Sequence, residues 1–144
     1  MAKRTSKAAP TAASASHFTD NGDGTVTDPR TGLMWTKEML PGGRMTYDEA
    51  VKACKALRLA GHKDWRLSTV EELFALADRS RYSPAIDTDA FPDTQSDWYW
   101  SSTPTAWDPS CAWVVNFSLG LADYGLRRSF NAFVRAVRSA RPSQ

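Results

Sequence analysis

The strongest constraint on the fold is a helix start signal near the middle of the chain. Thr46 and Glu49 form a Thr-x-x-Glu capping box, in which each side chain satisfies a backbone N–H group that the first helical turn leaves free. Apolar residues then follow at helical spacing, and Gly61 favours a helix end. We therefore predict a helix between Thr46 and Gly61, with Cys54 on its apolar face as a small hydrophobic residue.

A second helix start follows shortly afterwards. Ser68 or Thr69 can cap it, and Glu71 or Glu72 is the matching third residue. Apolar residues up to Ala77 continue at helical spacing and predict its buried side. The chain is thus expected to hold two short amphipathic helices.

Segments typical of β-strands flank the two helices. The first two are predicted to form a hairpin, because Asp28 to Gly32 between them has the composition of a tight turn. On a later strand, alternation places Trp113, Val115 and Phe117 on the buried face. The order predicts an α+β fold with two helices and a small, mostly antiparallel sheet. The strand-like segments are residues 25–27, 33–35, 98–103, 112–117 and 132–138.

The segments between these elements also carry expectations. Residues 80–97 are predicted to be a long surface connection anchored by Ile86 and Phe91. Gly120 and Gly125 predict a turn-rich excursion after the strand at residues 112–117. Two arginines near the end of the chain alternate with valines, which favours salt bridges or hydrogen bonds to loop carbonyl groups over ligand binding; they are Arg135 and Arg138.

Length and charge limit the domain organisation and the partners. The 144 residues suffice for one ordinary domain, and residues 1–16 are predicted to be a flexible basic tail. Positive charge is concentrated at the two ends rather than spread over a face, so we expect no nucleic-acid partner. No apolar run could span a bilayer, and the basic start lacks the apolar segment of a signal peptide. We expect no membrane insertion, and a cytoplasmic or virion-associated location.

The residues that usually carry catalysis or bind metals are poorly placed for either role. His17 and His62 are the only histidines and both lie beside turns. Glu71 and Glu72 are adjacent on a helix, so their side chains diverge by about 100° and capping explains them better. Residues 20–24 resemble a calcium loop but lack its ligand spacing, and the two cysteines are predicted to be free thiols. We therefore expect no enzymatic activity, no metal and no cofactor.

Several strings taken together resemble one known family. The chain is similar to the domain named for the C-terminus of a Legionella collagen-like adhesin, a distant relative of the formylglycine-generating-enzyme fold within the C-type lectin-like group. The resemblance implies a C-type lectin-like domain over residues 17–141 that displays a binding surface, although Ser68 departs from the family's usual Pro. The strings are Thr25–Asp28 with Thr31–Trp35, Ala60–Gly61 with Asp64–Leu73, Tyr99–Thr103, Ala112–Phe117 and Val134–Arg138.

A finer resemblance concerns residues 105–131. Variable proteins of diversity-generating retroelements end in such a domain, and their diversified codons cannot yield Met, Trp, Lys, Gln or Glu. The framework would be Trp113, Val115, Phe117, Gly120 and Ala122, and the positions between them avoid those five residue types. The resemblance implies ligand-binding positions at Asp108, Ser110, Cys111, Val114, Asn116, Ser118, Leu119, Leu121, Asp123, Tyr124, Leu126, Arg128, Ser129, Phe130 and Asn131.

Exposed apolar residues in this segment would mark the binding site. Leu119, Leu121 and Leu126 break the period of the buried strand face, as do Val114 and Phe130, so several apolar groups are expected at the surface. We predict a non-enzymatic module that binds a protein or glycan target and can form homo-oligomers. The alternative is an adhesin or structural subunit of fixed specificity that binds an anionic glycan through the Arg-rich end, and an enzyme related to the formylglycine-generating group stands third.

Overall fold

The computed structural model describes residues 16–140. Residues 1–15 of the predicted tail and residues 141–144 lie outside the described residues. The described chain forms two helices and two antiparallel sheets rather than the single predicted sheet, and this confirms the α+β class. The C-type lectin-like arrangement remains a prediction from the resemblance. In chain order the elements are β1 (Thr19–Asp20), β2 (Thr25–Asp28), β3 (Leu33–Thr36), α1 (Tyr47–Ala56), β4 (Arg66–Leu67), α2 (Val70–Phe74), β5 (Trp98–Thr105), β6 (Asp108–Asn116), β7 (Leu121–Leu126) and β8 (Ala136–Ser139).

The five-stranded sheet joins the beginning of the described chain to its end. Its strand order is β1-β2-β3-β8-β4, so the last strand lies between the hairpin and the middle of the chain. The predicted hairpin is confirmed, with pairs running from Thr25↔Thr36 to Asp28↔Leu33. Gly32 closes its turn with a φ of 73° and donates its N–H to the Asp28 carbonyl at 2.9 Å.

Both helices begin at the predicted signals and end earlier than expected. Thr46 with Glu49, and Thr69 with Glu72, form complete capping boxes. α1 ends at Ala56 rather than at Gly61, because the backbone of the next residue turns extended and its side chain packs on the core. α2 ends before the expected Ala77, and i to i+3 hydrogen bonds continue its last turn. Neither helix of the described chain has the length and apolar character needed to cross a bilayer.

The three-stranded sheet is buried on both faces where β5 pairs with β6. Tyr99 and Val115 are register partners and belong to one core cluster, which also contains Phe91. Trp100 and Val114 are the next partners and belong to the other cluster. Neighbouring residues of one strand therefore point into two different cores, and the paired strands are held from both sides.

Burial on both faces corrects the prediction of one buried face on β6. Val114 and Ala112, which were assigned to the opposite face, are completely buried, and Asn116 at the strand end is half-buried. Trp113, expected in the core, is half-buried. Strict alternation predicts burial correctly only when one face of a sheet meets water, whereas here α1 and Trp100 belong to a cluster that covers the second face.

A buried arginine ties the long connection to the five-stranded sheet. Arg135 is 1% exposed and donates hydrogen bonds to the carbonyl groups of Thr36 and Lys37 at 2.9 and 2.6 Å. Its other nitrogen donates to Asp93 and Thr94 at 3.2 and 3.1 Å. The predicted structural role of this arginine is thereby confirmed, and the same holds for Arg138, which pairs with Asp64 at 2.6 Å.

The connection itself is anchored as expected. Ile86 and Phe91 are fully buried, which confirms both anchors. The Arg135 guanidinium lies 4.9 Å from the centre of the Phe91 ring, a distance at which the ring attracts a cation. The connection thus contributes core residues and a partner for the buried charge.

We expect Arg135→Gln to lower the free energy of unfolding by about 3 kcal/mol, because the change orphans two backbone carbonyl groups and a carboxylate. The matched control is Arg128→Gln, an exposed arginine of the same chain end, for which the loss should stay within about 0.5 kcal/mol. Urea denaturation followed by circular dichroism measures both variants. Equal stabilities of the two variants would show that the buried guanidinium is dispensable.

Candidate ligand-binding surface

The centre of the predicted variable segment is a regular strand at the edge of its sheet. β7 pairs with β6 in continuous register from Cys111↔Leu126 to Asn116↔Leu121. In the described chain β6 is its sole neighbour, so β7 forms one edge of the three-stranded sheet. The expectation of a turn-rich excursion is therefore wrong for the part that forms β7, where Gly125 lies inside the strand, whereas Gly120 lies in a turn as expected.

Apolar side chains of β7, of the turn before it and of the β5–β6 turn face outward, with Tyr124 and Leu126 on one face of the strand and Leu121 on the other. Exposure of several large apolar groups around one strand is uncommon on a protein surface and typically marks an interaction site. The prediction that hydrophobic groups near Tyr124 point to solvent is confirmed. We call this set the β7 surface; its members are exposed by 50–61% and are Trp107, Leu119, Leu121, Tyr124 and Leu126.

Three aromatic rings lie together at one end of the β7 surface. Trp113 and Tyr124 are cross-strand partners of β6 and β7. The Trp107 ring meets both of them edge to face, at centroid distances of 5.7 Å to Trp113 and 5.3 Å to Tyr124. Edge-to-face contacts of this kind are favourable beyond the area they bury, so these three rings, the aromatic cluster, hold one another in place.

Sequence reasoning missed the part that Trp107 plays here. The structure places Trp107 in the turn between β5 and β6, with 61% of its surface exposed. Its position at a chain reversal between two strand-like runs was a usable signal, because turns lie on the surface.

Two predicted binding positions are buried. Val114 is completely buried in the cluster around Trp100, and Cys111 is 5% exposed. The expected surface exposure of Val114 is therefore wrong, because α1 and Trp65 pack with the face that it occupies. Val114 cannot contact a ligand without a rearrangement of the sheet, and Cys111 contributes a small area to the wall of a pocket beside Leu126.

Phe130 is also mainly structural. Its ring packs edge to face against Trp98 and Trp100 at centroid distances of 6.3 and 5.9 Å. A Cβ atom on Gly125 would lie 2.6 Å from atoms of this ring, so the ring occupies the space that a side chain at position 125 would fill. The residue opposite Gly125 is the small Ala112, and the two small residues together leave room for the aromatic ring.

The remaining predicted positions lie at the surface around β7. Ser110, Asp123, Arg128, Ser129 and Asn131 are exposed, and Asp108, Asn116 and Ser118 are half-buried. Several of the polar groups are already bound locally: Asp108 accepts hydrogen bonds from the hydroxyl and the N–H of Ser110, which lower the pKa of this carboxyl group. Asn116 accepts one from the N–H of Ser118 at 2.6 Å. These bonds shape the turns beside the strand.

The groups considered for catalysis do not converge. His17 lies 3.9 Å from Asp28, and His62 contacts the Trp65 ring. Both cysteines are free and buried, and burial raises the pKa of the Cys54 thiol to about 12. Among residues 16–140, no three His, Cys, Asp or Glu side chains are grouped as a metal site would require.

The two adjacent glutamates diverge as expected. Glu72 completes the cap of α2 and binds Arg66 through two hydrogen bonds of 2.8 and 2.9 Å. Partial burial raises the pKa of Glu72, but the hydrogen bonds from Arg66 and Thr69 lower it more, so it lies below its ordinary value. Glu71 is exposed and lines a groove beside Trp113 instead.

The Arg-rich end of the chain is largely occupied by contacts within the domain. Arg135 and Arg138 hold the partners described above, and Arg127 lies over the Tyr47 ring at 4.2 Å and 3.7 Å from Asp48. Arg128 is exposed and, within the described part of the chain, forms no ion pair. Most of this positive charge is therefore not free to bind an anionic polymer.

The fold and this surface define the class: an α+β domain that supports an apolar edge strand on a doubly buried sheet. The model of the family described as the Lcl C-terminal domain matches residues 24–138, and the chain belongs to this family. The resemblance to the Legionella collagen-like protein domain is thereby confirmed. No curated protein matches the chain. The relationships to formylglycine-generating enzymes and to retroelement variable proteins stay predictions.

We expect Gly125→Ala to destabilise the domain by about 1–3 kcal/mol, because the new methyl group overlaps the Phe130 ring. In a Phe130→Ala background the same change should be neutral or stabilising, since alanine suits a strand better than glycine. Thermal denaturation of the four proteins of this cycle measures the coupling. Equal effects of Gly125→Ala in both backgrounds would refute the packing of Phe130 on β7.

Proposed function

We propose that this domain is a non-enzymatic binding module that recognises a protein or glycan target through the β7 surface. The observation that carries the proposal is the exposure of five large apolar side chains: three on the edge strand β7, Leu119 in the turn before it, and Trp107, which contacts Tyr124 from the β5–β6 turn. Tyr and Trp anchors of this kind dominate the energy of many interfaces, and the aromatic cluster supplies both types. The Lcl C-terminal domain family is consistent with a binding role.

The scaffold under this surface favours recognition with little loss of entropy. β6 is buried on both faces, and Phe130 packs on β7 at Gly125, so the backbone that presents Tyr124 is fixed before a ligand arrives. A preformed site avoids the cost of ordering a loop on binding. Side chains of the β7 surface contribute little to the core and can differ without changing the fold.

That separation supports the finer hypothesis of a variable protein of a diversity-generating retroelement. Nine of the fifteen predicted binding positions are exposed, and substitutions there would alter the ligand while sparing the core. Val114 and Cys111 do not fit this scheme, because a buried position tolerates few residue types. The hypothesis therefore rests on the exposed positions alone.

The anionic-glycan alternative is less well supported. It requires free cationic groups at the Arg-rich end, and three arginines of this end are engaged with Tyr47, Asp64 and the Asp93 region. Among the described residues of this end, Arg128 is the arginine that forms no ion pair, and a single charge is a weak anchor for a polyanion, because binding of this type depends on many simultaneous contacts. The enzymatic alternative would need reactive groups that meet, whereas His17 lies beside Asp28, His62 contacts Trp65, and both cysteines are buried.

We expect threonine substitutions to have different effects on stability and binding at exposed positions and at buried positions. Tyr124→Thr with Leu126→Thr should change the free energy of unfolding by less than about 0.5 kcal/mol per site and abolish binding. Val114→Thr should cost about 1–3 kcal/mol, because it buries a hydroxyl group. Calorimetry measures stability, and a random-peptide phage library together with a glycan array measures binding. Ligands retained by the double variant would contradict the proposal.

The variable-protein hypothesis has a separate test in the DNA beside the coding sequence. We expect a near-copy of the segment that encodes residues 105–138, with adenines at the mismatched positions, next to a reverse-transcriptase reading frame. Mismatches should fall on codons for exposed residues such as Asp123 and Tyr124 and spare codons for the framework. A genome without such a copy would remove the hypothesis and leave the binding role intact.

A further inference from the structure

A groove beside the aromatic cluster suggests what kind of target the domain takes. It measures about 330 Å³ and lies between α2 and the outer part of the three-stranded sheet. Its lining residues are Val70, Glu71, Phe74, Trp113 and Ala122. Trp113 belongs to both the groove and the aromatic cluster, so the groove continues the β7 surface. A volume of this order accommodates a side chain or a small ligand.

The groove combines apolar walls with one carboxylate. Val70, Phe74 and Trp113 are half-buried, and Ala122 is exposed, so four of the five lining residues offer apolar surface. Glu71 is exposed and, in the described chain, its carboxylate takes part in no ion pair, in contrast to Glu72, which binds Arg66. The groove therefore presents a negative charge that has no fixed counterion.

The aromatic walls add to the attraction for a cation. The faces of Phe and Trp rings carry negative charge density and attract ammonium and guanidinium groups. Phe74 already shows this property, because the Arg79 guanidinium lies 4.5 Å from its ring centre. Arg79 itself lines the neighbouring pocket with Ala75 to Asp78 rather than this groove. Its charge opposes a second cation at Phe74, so the attraction in the groove rests on Glu71 and Trp113, and Arg66 is neutralised by Glu72.

We propose that this groove receives a lysine or arginine side chain of a target protein, while apolar residues beside it in the target contact the β7 surface. The aliphatic stem of such a side chain can lie along Val70 and Trp113 while its charged end stays in water near Glu71. The pairing is one of charge complementarity, and it rests on the proposed function of the β7 surface.

An anionic or neutral sugar fits the same groove less well. Its hydroxyl groups would face four apolar lining residues with Glu71 as the one charged partner, and buried polar groups without partners are costly. A sulfate or carboxylate would in addition be repelled by Glu71. The chemistry of the groove thus selects a positively charged, partly apolar protein segment.

A charge reversal with a matched control tests this inference. A random-peptide phage library is selected on the unsubstituted domain, on Glu71→Lys and on Glu38→Lys, all as the full chain. Glu38 is the control because it is also exposed, forms no ion pair within residues 16–140, and lies outside the groove. We expect Lys or Arg next to an apolar residue on the unsubstituted domain and on Glu38→Lys. On Glu71→Lys, Asp or Glu should replace them.

A second variant is needed because Glu71→Lys could destabilise the domain: a lysine in the first turn of α2 interacts unfavourably with the helix dipole. Glu71→Gln keeps the shape of the side chain and should bind a selected basic peptide about threefold more weakly at low salt. Replacing the basic residue of the peptide by norleucine should weaken binding by the same factor. The two changes together should weaken it no further, as measured by fluorescence anisotropy.

The outcomes separate this inference from the proposed function. One outcome is that basic peptides are enriched equally on the unsubstituted domain and on Glu71→Lys, and are lost in the double variant Tyr124→Thr with Leu126→Thr. That result would contradict binding in the groove and support binding by the β7 surface. Binding of glycans alone, lost in the same double variant, would do likewise. If neither peptides nor glycans bind the unsubstituted domain, both proposals fail together.

Discussion

The buried guanidinium of Arg135 is the interaction on which the rest of the domain depends. It lies where the final strand, the chain after the hairpin and the long connection meet, and it donates to Thr36, Lys37, Asp93 and Thr94. A charge in such a place is tolerated only when its donors are satisfied. The connection and the sheet are therefore fixed together by a polar contact beside the apolar cluster that contains Phe91.

Fixing that core makes a two-sided sheet possible. The connection brings Ile86 and Phe91 against one face of β5 and β6, and α1 packs with the cluster on the other face. Of the three strands of this sheet, the outer strand β7 is the one that has large apolar side chains in water, and Phe130 packs on it at Gly125. The exposed apolar groups and the core therefore belong to different residues of neighbouring strands, so the residues proposed to bind can differ without loss of the fold.

Local signals predicted the elements that depend on local chemistry. Both capping boxes and the Asp28–Gly32 turn formed as expected, because each is closed by bonds between residues a few positions apart. The strand character of β7 could not be predicted in the same way. In the sequence Gly125 is typical of a turn, whereas in the structure it leaves room for the ring of Phe130, which is held over β7 by its contacts with Trp98 and Trp100. The groove beside Glu71 was missed for a similar reason, since α2 and β6 are distant in the chain.

The sequence by itself determined the class of fold, the two helix starts, the hairpin and the outward position of apolar groups near Tyr124. These follow from capping, turn chemistry and a broken hydrophobic period, all of which act over a few residues. The tertiary structure alone decided that Val114 is buried, that Trp107 is exposed, and that Glu71 borders an apolar groove. Such outcomes depend on which part of the chain, distant in sequence, packs on a residue, and the pattern of residues along the sequence does not show this.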